Sequence, residues 1–537
     1  MTPAARVYWA IALLAFPLSI GWLWLSAESA ALSDLADSPG KIGLSLVLLA
    51  YTLWGLFDLF ISDSNLRRNY PVIANLRYML EYIRPEIQQY FIANNTEERP
   101  FNREARNLIY RRAKGLNDTI PFGTEQDIVS DGYRSLYHSI NTTHVPEPHS
   151  RFLLGGPQCT VPYSSSRLNI SGLSFGALSH TAIEALNRGA KMGNFAHNTG
   201  EGSISRYHME GGDLIWQIGT AYFGCRTAGG RLDEKLFAEK ASLASVRAIE
   251  IKLSQGAKPS HGGVLPGAKV TREIAEIRTV EVGKTVVSPA RHPEFDTPIG
   301  LMEFVARIRG LAKGKPVGLK LCLGRKREFM SIVKAMLETA ILPDFITVDG
   351  AEGGTGAAPV EFSNRLGIPC LEATYFINQV LIGAGIRKDI RIVSAGKTAS
   401  GFDMLEKIAM GADGVNAGRS MMMALGCIQA KTCNTNRCPT GVATQNPGRA
   451  RAIDVGDKTL RVYNFQKLTV GAFLELCGAL GYDDPSLLKP NDLYIRYDGG
   501  LKHFNEIYTP LTEGQLLESA LPEEYSVDWT AADARRF

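Results

Sequence analysis

The chain lacks three features that would each narrow its role at once. It has no large charge excess: 58 Lys and Arg against 54 Asp and Glu leave +4 over 537 residues, too slight for a nucleic-acid footprint. It has no paired, disulfide-dense cysteine pattern. Five of its eight cysteines (Cys159, Cys225, Cys322, Cys370, Cys477) lie singly, which fits a reducing compartment. No GxGxxG follows a strand and opens a helix, so a Rossmann site, and with it a recognisable NAD(P)H site, has no support. What remains is an ordinary globular composition, 45% hydrophobic and 21% charged, on a chain long enough to bury a large core.

The N-terminus departs from that average. Val7 to Leu25 carries no charge and Ile42 to Ile61 carries only Asp58, each close to the length of a bilayer-spanning helix. A transmembrane hairpin over residues 1–65 is therefore expected, with a cleaved signal peptide as the competing reading of the first span. The connection SAESAALSDLADSPGK is acidic and polar, whereas Arg67, Arg68, Arg77 and Arg84 follow the second span. Positive-inside bias then places the body in the cytoplasm, at the inner membrane. Residues 66–150 read as a helical and irregular connection, with Asn102 capping an arginine-rich helix. That basic helix reads as a solvated face or, less in keeping with its position, as a contact for lipid head groups or a partner.

From about Leu168 onward, short apolar runs alternate with helical patterns. LNISGL, IEIKLS, PVGLKLCL, DFITVDG, IRIVSAG and GADGVNAG read as strands; SHTAIEALNRGAKMG, PIGLMEFVARIRGLA, REFMSIVKAMLETA and SGFDMLEKIAMG read as helices. Repeated βα units near eight in number predict an α/β fold closed as a (β/α)8 barrel over residues 151–480. Residues 481–537 read as a peripheral extension.

Such barrels carry chemistry at the C-terminal ends of their strands and commonly bind phosphate after the last two. Three segments have that address: Asp349-Gly-Ala-Glu-Gly-Gly-Thr-Gly, Ser394-Ala-Gly-Lys and Gly414-Val-Asn-Ala-Gly-Arg. Their glycines let backbone N–H groups approach a phosphate, and Lys397 and Arg419 supply charge. IEIKLSQGAKPSHGGVLPG brings Lys252, Gln255 and Lys258 to a strand end, where a kink at Ser254 to Gly256 is needed for the lysines to converge. Lys258 reads equally well as a solvated loop residue. Glu201, between the glycines of HNTGEG, is placed either to move protons or to order its loop.

Cys427, Cys433 and Cys438 are spaced C-x5-C-x4-C and followed by proline. One turning loop can bring three thiolates onto a small iron-sulfur cluster, whereas tetrahedral zinc would want a fourth ligand that this segment does not offer. Three buried thiols packed as small hydrophobes account for the spacing equally well.

SGLSFGALS, HNTGEG, KLSQGAKPSHGGVLPG, DGAEGGTGAAP and LGCIQAKTCNTNRCPTGVATQ, in this order over roughly residues 150 to 480, closely resemble the FMN-binding synthase domain of glutamate synthases. The resemblance implies a barrel holding FMN, a [3Fe-4S] cluster on Cys427, Cys433 and Cys438, and reduction of 2-iminoglutarate, formed from 2-oxoglutarate and ammonia, to L-glutamate. Position by position it places the active-site acid on Glu201, the substrate lysine on Lys258 and a carboxylate-clamping arginine on Arg278. Flavin contacts fall on Ser174, Gly176, Lys252 and Gln255. Phosphate contacts fall on Gly354, Thr355, Gly396, Lys397, Gly418 and Arg419.

Two departures bear on the substrate. Where the family has GEGGQ this chain has SHGGV, so Val264 replaces a glutamine, and a substrate-side serine falls on Thr297. The family's amidotransferase and β-helix modules have no counterpart in this sequence, so nitrogen is expected as free ammonia, as an amine such as methylamine, or as ammonia from a separate subunit. The electron donor is expected to be a ferredoxin, a partner reductase or a membrane pool. A reading of another class makes the chain an electron-transfer or redox-sensing subunit without turnover; retention of Glu201, Lys258 and Arg278 weighs against it.

Overall fold

The computed structural model describes residues 2–28 and 39–537 and divides the chain into two compact units, Met1–Glu98 and Arg99–Phe537. In the first unit, Pro3–Glu28 and Pro39–Phe60 are helices, and Pro3–Trp24 and Ile42–Phe60 are long and apolar enough to cross a membrane. They pack as an antiparallel hairpin, with the Tyr8 hydroxyl donating to the Thr52 carbonyl at 2.7 Å and Thr2 Oγ1 donating to the Asn69 carbonyl. Most of the acidic connection, residues 29–38, lies outside the described residues.

In the second unit eight parallel strands close into a barrel: β1 Leu168–Ile170, β2 His197–Asn198, β3 Leu214–Ile218, β4 Val246–Lys252, β5 Val317–Leu321, β6 Phe345–Asp349, β7 Arg391–Ala395 and β8 Gly414–Ala417. Each pairs with its neighbour in sequence, and β8 pairs with β1 through Val415 and Leu168. This is a (β/α)8 barrel. β3, β5 and β6 are buried along their whole length, as strands must be when side chains fill one face and helices cover the other. The four expected helices form at His180–Gly193, Pro298–Leu311, Lys326–Thr339 and Gly401–Ala409. Glu234–Ala241, Cys370–Gly383 and Val455–Ala479 add to the coat.

The caps explain where these helices start. Ser179 Oγ accepts from Ala182 N at 3.3 Å, and Ser400 and Asp403 form a reciprocal capping box, each cap being worth about 1 kcal/mol. Asn102 caps Arg103–Ala113 as the sequence suggests, accepting from Ala105 N at 2.9 Å. That helix is not a solvated basic face, however. Arg106, Ile109 and Arg112 are buried, and the Arg112 guanidinium pairs with Asp118 at 2.8 Å.

The tail beyond residue 481 is likewise not peripheral. Leu493–Tyr497 pairs antiparallel with Arg134–Leu136, and Leu516, Tyr525 and Trp529 are buried in the same apolar cluster as Phe376 and Val380 of Cys370–Gly383. Apolar residues separated by polar runs give little local periodicity, which is why this packing escapes a sequence reading.

Candidate functional site

A cleft of about 950 Å3 opens over the C-terminal ends of the strands, the end where barrels of this class carry their chemistry. Glu201, Lys252, Lys258 and Arg278 all line it; Glu201 follows β2, whereas Lys252 ends β4 and Lys258 and Arg278 lie in the long connection after it.

β4 ends at Lys252, whose Nζ lies 3.1 Å from Glu201 Oε1 and also donates to Gln255. The chain then turns sharply, Lys258 N donating to the Gln255 carbonyl at 3.2 Å, which supplies the kink that both lysines need. Gly256 permits this turn because a Cβ there would lie 1.7 Å from the Gly350 carbonyl oxygen. Lys258 is 3% exposed and donates to the Ala357 carbonyl at 2.8 Å. Burial first, and Lys252 second, push its pKa down to about 8.

Two glycines flank the Glu201 carboxylate. A Cβ on Gly219 would come within 2.4 Å of Oε2 and one on Gly263 within 2.1 Å of Oε1. Burial acts to raise the Glu201 pKa, but Lys252 above all, then Lys258 and Arg278, outweigh it and hold the carboxyl below its usual range. Arg278 closes the helix Arg272–Arg278, and its Nη2 donates to the Phe175 carbonyl at 2.8 Å while its plane lies over the Phe223 ring at 5.3 Å. Its Nε has no partner among the described residues, and burial pushes its pKa down to about 10. Three buried cations therefore face one carboxylate, an arrangement that favours an anionic ligand.

The expected flavin contacts gather in the same cleft. Ser174, Lys252 and Gln255 line it. Gly176 does not; with φ +103 and a hypothetical Cβ 3.0 Å from Arg278 Nη2, it makes room for the arginine. On the far side lie Gly354, Thr355, Gly396 and Lys397, with Gly418 and Arg419 beyond β8. Gly354 is needed for close approach, since a Cβ there would sit 2.8 Å from Arg419 Cδ. Arg419 lies over the Phe101 ring at 5.2 Å and donates to the Glu352 carbonyl. These glycine-lined loops with two cations fit a phosphate. Asn416 Oδ1, buried and without a partner among the described residues, gives the same cleft an unfilled acceptor.

Cys427, Cys433 and Cys438 line the cleft as well. The Tyr110 hydroxyl donates to the Cys427 carbonyl at 2.7 Å, and Gln429 exchanges hydrogen bonds with both the Phe101 N–H and its carbonyl. Burial pushes the Cys427 thiol up to about 12 and also raises Cys433. At Cys438 burial is outweighed by the Thr440 hydroxyl and by the backbone N–H groups of Ala443, Thr440 and Val442, so its pKa falls. Such donors are what a cluster thiolate requires. Among the described residues no three His, Cys, Asp or Glu side chains form a single-ion site; a cluster spreads its ligands over several irons, and the trio fits that use.

The structure adds residues that the sequence reading passed over. Lys269, 1% exposed, donates to the Ala177 carbonyl at 2.8 Å and lies close enough to Cys433 and Cys438 to feel their charge. Gln217, on the unrecognised strand β3, donates to buried Glu250 at 2.6 Å and lines the cleft. A lone polar residue inside the apolar run LIWQI was the available signal. Thr297 is not at the cleft: it caps Pro298–Leu311, accepting from Gly300 N at 3.0 Å. Ser288 lines the cleft instead, its Oγ buried without a partner among the described residues, close to Val264.

Barrel, cleft and cysteine loop together define an α/β barrel whose strand ends present buried cations beside three cysteines. Residues 158–483 match the conserved region in glutamate synthase. The chain is 33% identical over 522 residues to the glutamate synthase large subunit-like protein YerD of Bacillus subtilis (strain 168), covering 89% of this chain and 99% of that one. It is 34% identical over 324 residues to the archaeal glutamate synthase [NADPH] of Methanocaldococcus jannaschii, covering 60% of each. A mandelate oxidase with 3,3-difluoro-2-hydroxy-3-phenylpropionic acid overlays at 14% identity and a TM-score of 0.41, covering 74% of this chain and 99% of that one, too loosely to bear on function. The chain belongs to the glutamate synthase family and is a glutamate synthase-like oxidoreductase.

Proposed function

We propose that this protein is an FMN- and [3Fe-4S]-dependent oxidoreductase that reduces the imine formed from 2-oxoglutarate and ammonia, or a small amine, to the amino acid. The observation that carries the reading is the convergence of Glu201, Lys252, Lys258 and Arg278 with the three cysteines in one cleft. When bound, FMN supplies hydride transfer and the cluster single-electron transfer. Gly354, Gly396, Lys397, Gly418 and Arg419 would hold the FMN phosphate, and Cys427, Cys433 and Cys438 the cluster.

The chain's own residues account for the rest. Arg278 and Lys258 neutralise the substrate carboxylates and hold the oxo carbon in place. Glu201, kept ionised by its cations, accepts a proton from the incoming amine nitrogen and returns one to the hydroxyl that leaves as water. Val264, where a hydrogen-bonding glutamine is lost, leaves an apolar wall that favours an alkylamine as the nitrogen source. The apolar hairpin would anchor the protein in the cytoplasmic membrane with its body in the cytoplasm, near a donor protein or a membrane reductase.

The test is the visible spectrum of detergent-solubilised protein reduced by dithionite and then given 2-oxoglutarate with ammonium or methylammonium. Flavin and cluster absorbance should bleach and recover only with oxo acid and amine together. Electron exchange with a donor but no recovery with any oxo acid and amine would instead favour a subunit without turnover. Changing Cys433→Ser should abolish the cluster absorbance and leave the FMN content largely intact; loss of both would mean the loop is structural.

A further inference from the structure

In the N-terminal unit, the helix Ala74–Ile87 runs on into a π-helical turn, Gln88–Ile92. At 3.6 residues per turn, Leu76, Leu80, Ile83 and Ile87 fall within about 60° of arc. Leu76 is 53% exposed, Leu80 49% and Phe91, beyond the helix, 84%, while Ile83 and Ile87 are half-buried, so the stripe is not a closed core face. The helix is held from the other side. The Tyr78 hydroxyl bonds Ser64 Oγ at 2.7 Å, and the Arg67 guanidinium lies 4.7 Å from the centre of the Tyr78 ring.

Asp58 ties the start of the helix directly to the second apolar span. Asp58, fully buried in the last turn of Pro39–Phe60, accepts from Val72 N at 2.9 Å and from Asn75 Nδ2 at 2.6 Å. The start of the helix is therefore fastened beside the end of the span. Phe60 and Ile61, 68% and 66% exposed, and Ile73, 64% exposed, bracket the clamp, so the exposed apolar surface of the span continues into the stripe. Arg77 and Arg84 lie at one edge of that stripe, where long cationic side chains can reach up to lipid phosphates.

We propose that Ala74–Ile92 lies along the surface of a lipid bilayer, with Leu76, Leu80, Ile83, Ile87 and Phe91 among the upper acyl chains and Arg77 and Arg84 at the headgroup phosphates. The chain then leaves the membrane as an elbow clamped by Asp58, not as a free tether. The proposal rests on the reading of the hairpin as membrane-spanning.

The experiment uses the full chain in phosphatidylcholine and phosphatidylglycerol vesicles, with p-benzoylphenylalanine placed singly at Leu80, Ile83 or Phe91 on the stripe, or at Glu81 or Gln88, more than about 100° round the helix from its centre. Leu14 and Leu53 in the spans serve as references. After illumination, lipid adducts are counted by mass spectrometry. The stripe positions should yield at least tenfold more adduct than Glu81 and Gln88, approaching Leu14 and Leu53. Strong adducts at Leu14 and Leu53 with none on the stripe, equal adducts on both faces, or cross-links from the stripe to a second copy would each overturn the proposal and leave the hairpin reading standing. No lipid adduct at Leu14 or Leu53 would overturn the hairpin reading and the proposal with it.

Discussion

The two ends of the barrel handle buried charge in opposite ways. At the N-terminal end, Arg309 meets Asp344 at 3.1 Å, and the same carboxylate accepts from Val317 N at 2.7 Å and Gly156 N at 2.9 Å. The Asp344 carboxylate there is fully partnered, and this ion pair is electrically closed. At the mouth, Lys252, Lys258 and Arg278 surround the single carboxylate of Glu201, with Arg278 Nε, Ser288 Oγ and Asn416 Oδ1 left without partners among the described residues. The lower end is built for stability, the upper for a ligand that the protein does not itself supply.

Breaking the closed end should produce the largest change. Asp344→Ala strands the Arg309 charge and two backbone donors, and should cost about 3 to 5 kcal/mol in denaturant unfolding; a loss below about 1 kcal/mol would show that the two ends do not differ as described. At the open end the expected loss is in binding, not in stability. Arg278→Lys should weaken 2-oxoglutarate binding by about 100-fold, or ~2.7 kcal/mol, while unfolding and FMN content stay near wild type. Equal loss of oxo acid and flavin would move the clamp elsewhere.

The third contrast is pH. Lys258 has its pKa pushed down to about 8, mainly by burial, and a carboxylate binds its protonated form. Oxo-acid affinity should therefore be full below pH 8 and fall by up to tenfold per unit above it, in the direction set by a lowered lysine pKa. Lys258→Arg, which stays charged, should flatten that limb of the profile; an unchanged limb in this variant would assign the titration to another group. The smallest effect is expected at the apolar wall. Val264→Gln should shift preference from methylammonium towards ammonium by about 1 kcal/mol, a several-fold change in relative kcat/KM.

Much of the barrel was legible because its strands are short β-branched runs set between glycine turns and capped helices. Six strands and four helices follow from that pattern alone, and β2 and β3 escaped because two residues, or one apolar run containing a glutamine, carry no period of their own. The cysteine spacing and the glycine loops were legible for the same reason, since close approach and thiolate ligation demand particular residues at particular intervals.

The sequence by itself determined the βα alternation, the two apolar spans and Glu201, Lys258 and the three cysteines as candidates, because each rests on residues a few positions apart, whereas Arg278 came from the family resemblance alone. Only the tertiary structure decided that Ser288 and not Thr297 reaches the cleft, that Gly176 serves Arg278, that Lys269 stands beside Cys433 and Cys438, and that the C-terminal tail is core. Those outcomes depend on which distant loops close over the same strand ends, and no local spacing encodes a meeting between side chains a hundred residues apart.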